Sequence, residues 1–224
     1  MSTYQPVCML NKTLTKELPE TKRKIVDAGM TLMRQRGFNA TTVDDICSAA
    51  GVTKGGFFHY FKSKDEIAKA AVTYFNEQKT KSYEAAAFRK LTDPLERVFG
   101  RLDYVKESVG GNKHRTTKGC LIGVFAQELA FTHPELREVC QEFFSRIVKD
   151  FAVDLTEAKA KYAPQSNFDP QNLAQFYVSL VQGSLMLAKT AENNDVLASN
   201  IEQFRSQLKC LFSLDSSSTG KSRN

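Results

Sequence analysis

Apolar residues in this chain recur mostly every three or four positions, the spacing of one face of an α-helix. Ile25, Ala28, Leu32 and Met33 share such a face, with Pro19 and Glu20 at its start and Gly37 just past its end. Proline and acid at the front with glycine behind is the asymmetry of helix termini. Thr41-Thr42 opens a short second segment through Val43, Ile46, Ala49 and Ala50 that stops at Gly51. A third runs from Thr53 to about Tyr60. Ser63 and Glu66 then form an S-x-x-E capping box ahead of Ile67, Ala70, Ala71, Tyr74 and Phe75. The pattern predicts four helices between residue 19 and about residue 88, two of them very short.

The remainder keeps the helical period. Asp93-Pro94 caps a stripe of Leu95, Val98, Phe99, Leu102 and Val105. Residues 108–119 (SVGGNKHRTTKG) are glycine-rich and basic and read as a loop. Cys120 to Phe131 is apolar nearly all round, so a helix buried on most sides is predicted there. His133-Pro134-Glu135 restarts a stripe running through Leu136, Val139, Phe143, Ile147, Phe151 and Leu155. After a loop at 163–168, Asp169-Pro170 leads into two closing helices, about 171–191 and 195–212. Residues 1–18 show no period and read as a loose arm; the tail from Ser213 is small and polar and reads as disordered. With 6 prolines, 12 glycines and few consecutive β-branched residues, the fold is expected to be all-α, with about nine helices.

Composition narrows the function. At 224 residues, 42% hydrophobic and 25% charged, the chain fits one or two globular domains. Its 31 basic against 25 acidic residues give +6, which suits a nucleic-acid partner. Apolar runs such as Leu121–Ala126 are too short for a membrane span, and the N-terminus lacks a secretory pattern, so a cytoplasmic location is expected. Five cysteines are widely spaced with no C-x-x-C, which argues for free thiols and against a metal site. Walker, GxGxxG and HExxH motifs are absent and no cofactor is implied. Cys120 with His114 or His133 can be drawn as a nucleophile and base, but no third orienting group accompanies them, so no enzyme is expected.

Residues 41–61 (TTVDDICSAAGVTKGGFFHYF) have the physics of a helix-turn-helix. A capped support helix turns Val43, Ile46 and Ala50 inward, and Gly51 permits a left-handed corner. The helix from Thr53 is too short and too polar at its start to stand alone, which makes sense if that end enters a DNA major groove. Phe57, Phe58 and Phe61 read as core of this head, and Cys47 as a small packed side chain. Asp44, Asp45, Asp65 and Glu66 read as charges favoured at helix starts.

The stretch from about Lys22 to Ile67 resembles the TetR family of regulators. Gly37-Phe38, Thr41-Thr42, Ile46, Ala50-Gly51-Val52, Lys54-Gly55, His59-Tyr60-Phe61 and Ser63-Lys64-Asp65 match its pattern in type and spacing. The resemblance implies a homodimeric, ligand-responsive repressor with a reading head at 19–66 and a sensing and dimerisation domain at 67–212. It places Thr53, Lys54, Gly55, Gly56 and His59 toward the groove. Thr42 and Lys64 would sit at helix starts facing phosphates, and Tyr60 would offer its hydroxyl to the backbone. Phe58 stands where the family commonly has tyrosine, at a cost of about 1 kcal/mol for a lost phosphate hydrogen bond. A protein-binding dimer is the alternative, and the basic run Lys22, Arg23 and Lys24 argues against it.

Beyond the head, Leu173, Phe176, Tyr177, Leu180 and Leu187, then Ile201, Phe204, Leu208 and Leu211, form stripes expected to pair with a second subunit. Phe99, Leu102 and Phe125 are among the side chains expected to wall an effector pocket. No convergent charged set is visible, so the effector is expected to be small and apolar, or electrophilic. Cys120 lies at a predicted helix start behind Lys113, His114, Arg115 and Lys118, a setting that lowers a thiol pKa. Gly119-Cys120-Leu121 with Ala188-Lys189 is similar to family members that sense electrophiles or oxidants through cysteine, Lys189 being the ammonium partner. The other reading of Cys120 is a buried structural thiol.

Overall fold

The computed structural model describes residues 18–110 and 119–214, apart from the side chains of 109 and 110. The arm before Leu18 with Cys8, the loop cations Lys113, His114, Arg115 and Lys118, and the tail after Leu214 lie outside the described residues. Nine α-helices and one 3-10 turn make up the regular structure among those described: α1 (Glu20–Arg36), α2 (Val43–Ala50), α3 (Lys54–Tyr60) and α4 (Lys64–Glu84), the turn at Ala87–Lys90, then α5 (Pro94–Gly110), α6 (Leu121–Leu129), α7 (Pro134–Tyr162), α8 (Pro170–Thr190) and α9 (Asp195–Leu211).

Local chemistry sets the boundaries. The Asp45 amide donates to the Thr42 hydroxyl while the Thr42 amide donates to the Asp45 carboxylate, a reciprocal capping box. At α3, α4 and α8 the side chains of Thr53, Ser63 and Asp169 accept from the amides of Gly56, Glu66 and Asn172, one-way caps without the return bond. α1 ends at Gly37, whose φ of +94° is unsuited to a side chain, and a Cβ there would meet Glu128.

Two cores hold the helices. The first joins Ile25, Met33, Ile46, Phe57, Ile67 and Phe75 of the head and α4 to Leu121 and Phe125 of α6. The second gathers Val98 and Leu102 of α5, Phe151 and Leu155 of α7, Tyr177 of α8, and Ile201, Phe204 and Leu208 of α9. Cys120 packs against both. Beside the second core, Arg101 is 2% exposed. It donates to Asp150 and Asp154 and lies over the rings of Tyr83, Phe88 and Phe151. Burial of such a charge is tolerable only with this pairing.

Three expectations are corrected. Phe131 is 98% exposed, because α6 stops at Leu129 and the chain turns before α7. The α9 stripe is spent inside the subunit, where Ile201, Phe204 and Leu208 are buried as α9 packs on α5 and α8. On α8, Leu173 and Tyr177 are likewise buried, and Phe176, Met186 and Leu187 are what stays exposed.

Candidate nucleic-acid interface

α2 and α3 meet at a corner built by Gly51, which takes the left-handed conformation at φ +66°. Its amide and that of Val52 close the end of α2 on the carbonyls of Ser48 and Cys47. The Gly56 amide donates to the Thr53 hydroxyl at 3.1 Å, which fixes the first turn of α3. Phe57 and Phe61, four residues apart, are buried and anchor the inner face. Thr53, Lys54, Gly55, Phe58 and His59 are exposed, while Gly56 and Tyr60 are half-buried. The His59 and Tyr60 rings meet nearly at right angles, their centres 4.8 Å apart.

Thr42, Thr53, Lys54, Gly55 and His59 are thus all exposed, and the Lys54–Asp44 pair joins the starts of α2 and α3 that carry the first four. Two details depart from expectation. Phe58 is 52% exposed, not core, because it lies four residues after Lys54 on the outward stripe. Its i,i+4 relation to Lys54 was the signal in the sequence. The Lys64 ammonium turns inward, donating to the Phe38 carbonyl at 3.0 Å and lying 4.1 Å from that ring's centre. Lys54 stays at the surface, 2.8 Å from Asp44, which holds its ammonium above the usual lysine range.

The expected effector residues do not form one wall. Phe125 and Leu102 are fully buried in different cores, and Phe99 sits beneath the Arg205 guanidinium. Cys120 is half-buried at the start of α6, and burial pushes its thiol up rather than down. The amides of Gly123 and Ile122, the Arg34 guanidinium and Gln182 all favour a thiolate, but less strongly than burial opposes it. Lys189 does approach, yet its ammonium donates to the Arg34 carbonyl at 3.1 Å. Arg34 in turn donates to the Gly119 carbonyl at 2.8 and 3.2 Å. Arg34 and Lys189 are therefore brought together where α1, α8 and the start of α6 meet, a cationic pair contrary to the reading from sequence. Beside it an open groove of 530 Å³ runs between α7 and α8, lined by Gln141, Phe144, Gln175, Val178 and Gln182.

A capped support helix, a left-handed corner and an exposed reading helix define a helix-turn-helix DNA-binding regulator. Residues 25–71 match the model of bacterial regulatory proteins of the tetR family, and 94–203 match the LmrA/YxaF-like transcriptional regulator C-terminal domain. The chain is 25% identical to the repressor DhaR of Mycobacterium sp. strain GP1, over 79% of this chain and 86% of that one. It is 26% identical to the regulator AcuR of Cereibacter sphaeroides, covering 81% and 82%. A regulatory protein TetR from Rhodobacter sphaeroides superposes with a TM-score of 0.73 at 24% identity, covering 83% and 97%. The reduced form of NemR from E. coli gives 0.66 at 20%, covering 86% and 98%. The chain belongs to the TetR family. It is a transcriptional regulator, not an enzyme. No described helix is long and apolar enough to cross a membrane.

Proposed function

We propose that the chain is a homodimeric, effector-released repressor that reads a pseudo-palindromic operator in the major groove. The observation that carries this reading is the outward face of α3, where Thr53, Lys54, Gly55 and His59 are exposed while Phe57 and Phe61 lock the opposite face. In this reading Thr53, Lys54 and His59 meet base edges and phosphates, and Gly55 and Gly56 let the backbone approach. The amides at the starts of α2 and α4, near Thr42 and Lys64, take phosphate oxygens, and Tyr60 adds its hydroxyl.

Residues 19–66 act as reading head and 67–212 as sensor and dimer module. The exposed Phe176, Met186 and Leu187 on α8 flank Gly183, where an added Cβ would meet nothing, so a second copy can pack closely there. Two heads would then engage grooves about 34–36 Å apart. The effector acts at the junction that includes Cys120 and Lys189. There α1, α6 and α8 are tied together by the Lys189–Arg34 and Arg34–Gly119 hydrogen bonds. An effector that binds the DNA-incompetent state more tightly shifts the population through α1 and α4 and releases the operator. DhaR and NemR, both repressors by name, support repression over activation.

Fluorescence anisotropy against DNA from upstream of the gene, with scrambled competitor, tests the reading. Saturable binding that resists competitor and falls in His59→Ala is the expected result. Binding that competitor abolishes, or that His59→Ala leaves unchanged, contradicts it.

A further inference from the structure

We propose that Arg34, Lys79 and Lys189 form a recognition site for the carboxylate of a small organic acid, and that this acid is the effector of the regulator proposed above. The Arg34 guanidinium and the Lys79 ammonium lie over one and the same ring, that of Phe75, at 5.5 and 5.7 Å from its centre. Lys189 reaches the backbone of Arg34 from α8. Among the described residues no carboxylate pairs with any of the three, although 15 ion-pair contacts are formed elsewhere. The Lys79 ammonium has no hydrogen-bond acceptor among them either, and Arg34 spends two donors on Gly119 and keeps three of its five.

Like charges gathered against one aromatic wall repel. Burial around the ammonium and the nearby Arg34 charge hold Lys79 below the usual lysine range. An anion placed between them would relieve that repulsion and engage the guanidinium's planar fork. The surroundings select an organic acid over an inorganic ion. The Phe75 and Phe143 rings lie 6.3 Å apart, tilted to one another, Cys140 is buried, and Cys120 faces the same charges.

The position explains how binding reaches the DNA. Arg34 occupies the last turn of α1, and Lys79 the distal half of α4. Both helices belong to the core that carries the head. A carboxylate drawing on Arg34 and Lys79 therefore pulls at the joint between α1, α4 and α6.

The test is calorimetric titration of the full chain, without DNA, at fixed ionic strength. The probes are propionate and benzoate, each against its primary amide, and inorganic phosphate. At least one acid is expected to bind ten-fold or more tightly than its amide and than phosphate. Lys79→Gln, which keeps a polar side chain beside Phe75 without the charge, should lose that binding ten-fold or more while its urea midpoint stays that of the parent chain, and Lys81→Gln on the same helix keeps the binding. Absence of acid binding, equal binding of the amide, preference for phosphate, or indifference to Lys79→Gln each overturns the proposal. Operator anisotropy on the same preparation separates the two readings. A chain that binds DNA but no acid keeps the repressor reading and loses this one; a chain that binds acid through Lys79 but no DNA keeps the carboxylate site and loses both the repressor reading and the acid's role as effector.

Discussion

Lys54 and Lys64 both open a helix in the reading head, yet their ammonium groups do different things. Lys54 pairs with Asp44 at the surface, an exposed contact worth little and easily exchanged for a phosphate. Lys64 is committed to the Phe38 carbonyl and ring. Lys54→Ala should therefore lower the salt slope of operator binding by about 0.9, the counterion release of one phosphate contact. Lys64→Met should leave the slope alone and lower the urea midpoint. Salt titrations of both variants check this, and an unchanged slope in Lys54→Ala would remove that lysine from the interface. Cys120 gives a second test at this scale. Its thiol is raised by burial, so at neutral pH it holds less thiolate than an ordinary cysteine. Maleimide labelling followed by mass spectrometry should be slower in the native chain than in urea and should accelerate with rising pH. Faster native labelling would restore an activated thiolate.

Among the helices, what sequence revealed and what it hid divide along the range of the interaction. Caps are local, so Thr42, Ser63, Asp169 and the Gly51 corner were legible from a few neighbouring residues. The Thr42 box should be worth about 1 kcal/mol, the usual loss when such a cap becomes alanine. Urea unfolding of Thr42→Ala measures it, and no loss would mean that packing alone holds α2. Phe58 was harder to place. Adjacent aromatics on a seven-residue helix point about 100° apart, and only their partners at i+4 decide which faces in. The α9 stripe looked like an interface because an apolar face reads the same whether α5 and α8 or a second copy covers it. The cationic junction was out of reach altogether. Lys189 and Arg34 lie 155 residues apart, and no local pattern announces that they meet.

At the scale of the whole molecule, two cores meet at Cys120, and the ion network around Arg101 ties α5 to α7 beside the second. Burial opposes ionisation of Asp150, but Arg101, Tyr83 and Arg89 outweigh it, so its carboxyl sits below the ordinary value. A carboxylate depressed in the folded state contributes stability in full above its unfolded pKa of about 3.9 and loses it as pH falls through the folded value. Thermal unfolding should therefore show Asp150→Asn destabilised at pH 7, with the gap to the parent chain closing in acid. A gap that stays constant would deny the network this role. The central claim is that paired α3 helices read sequence. Selection from a random duplex pool, sequenced after several rounds, tests it without a guess at the target. The account predicts an inverted repeat whose half-sites are one helical turn apart or a multiple of it, with preference relaxed at defined positions in each half when His59 becomes alanine. A pool with no enriched motif, or the same motif recovered unchanged by His59→Ala, would contradict it.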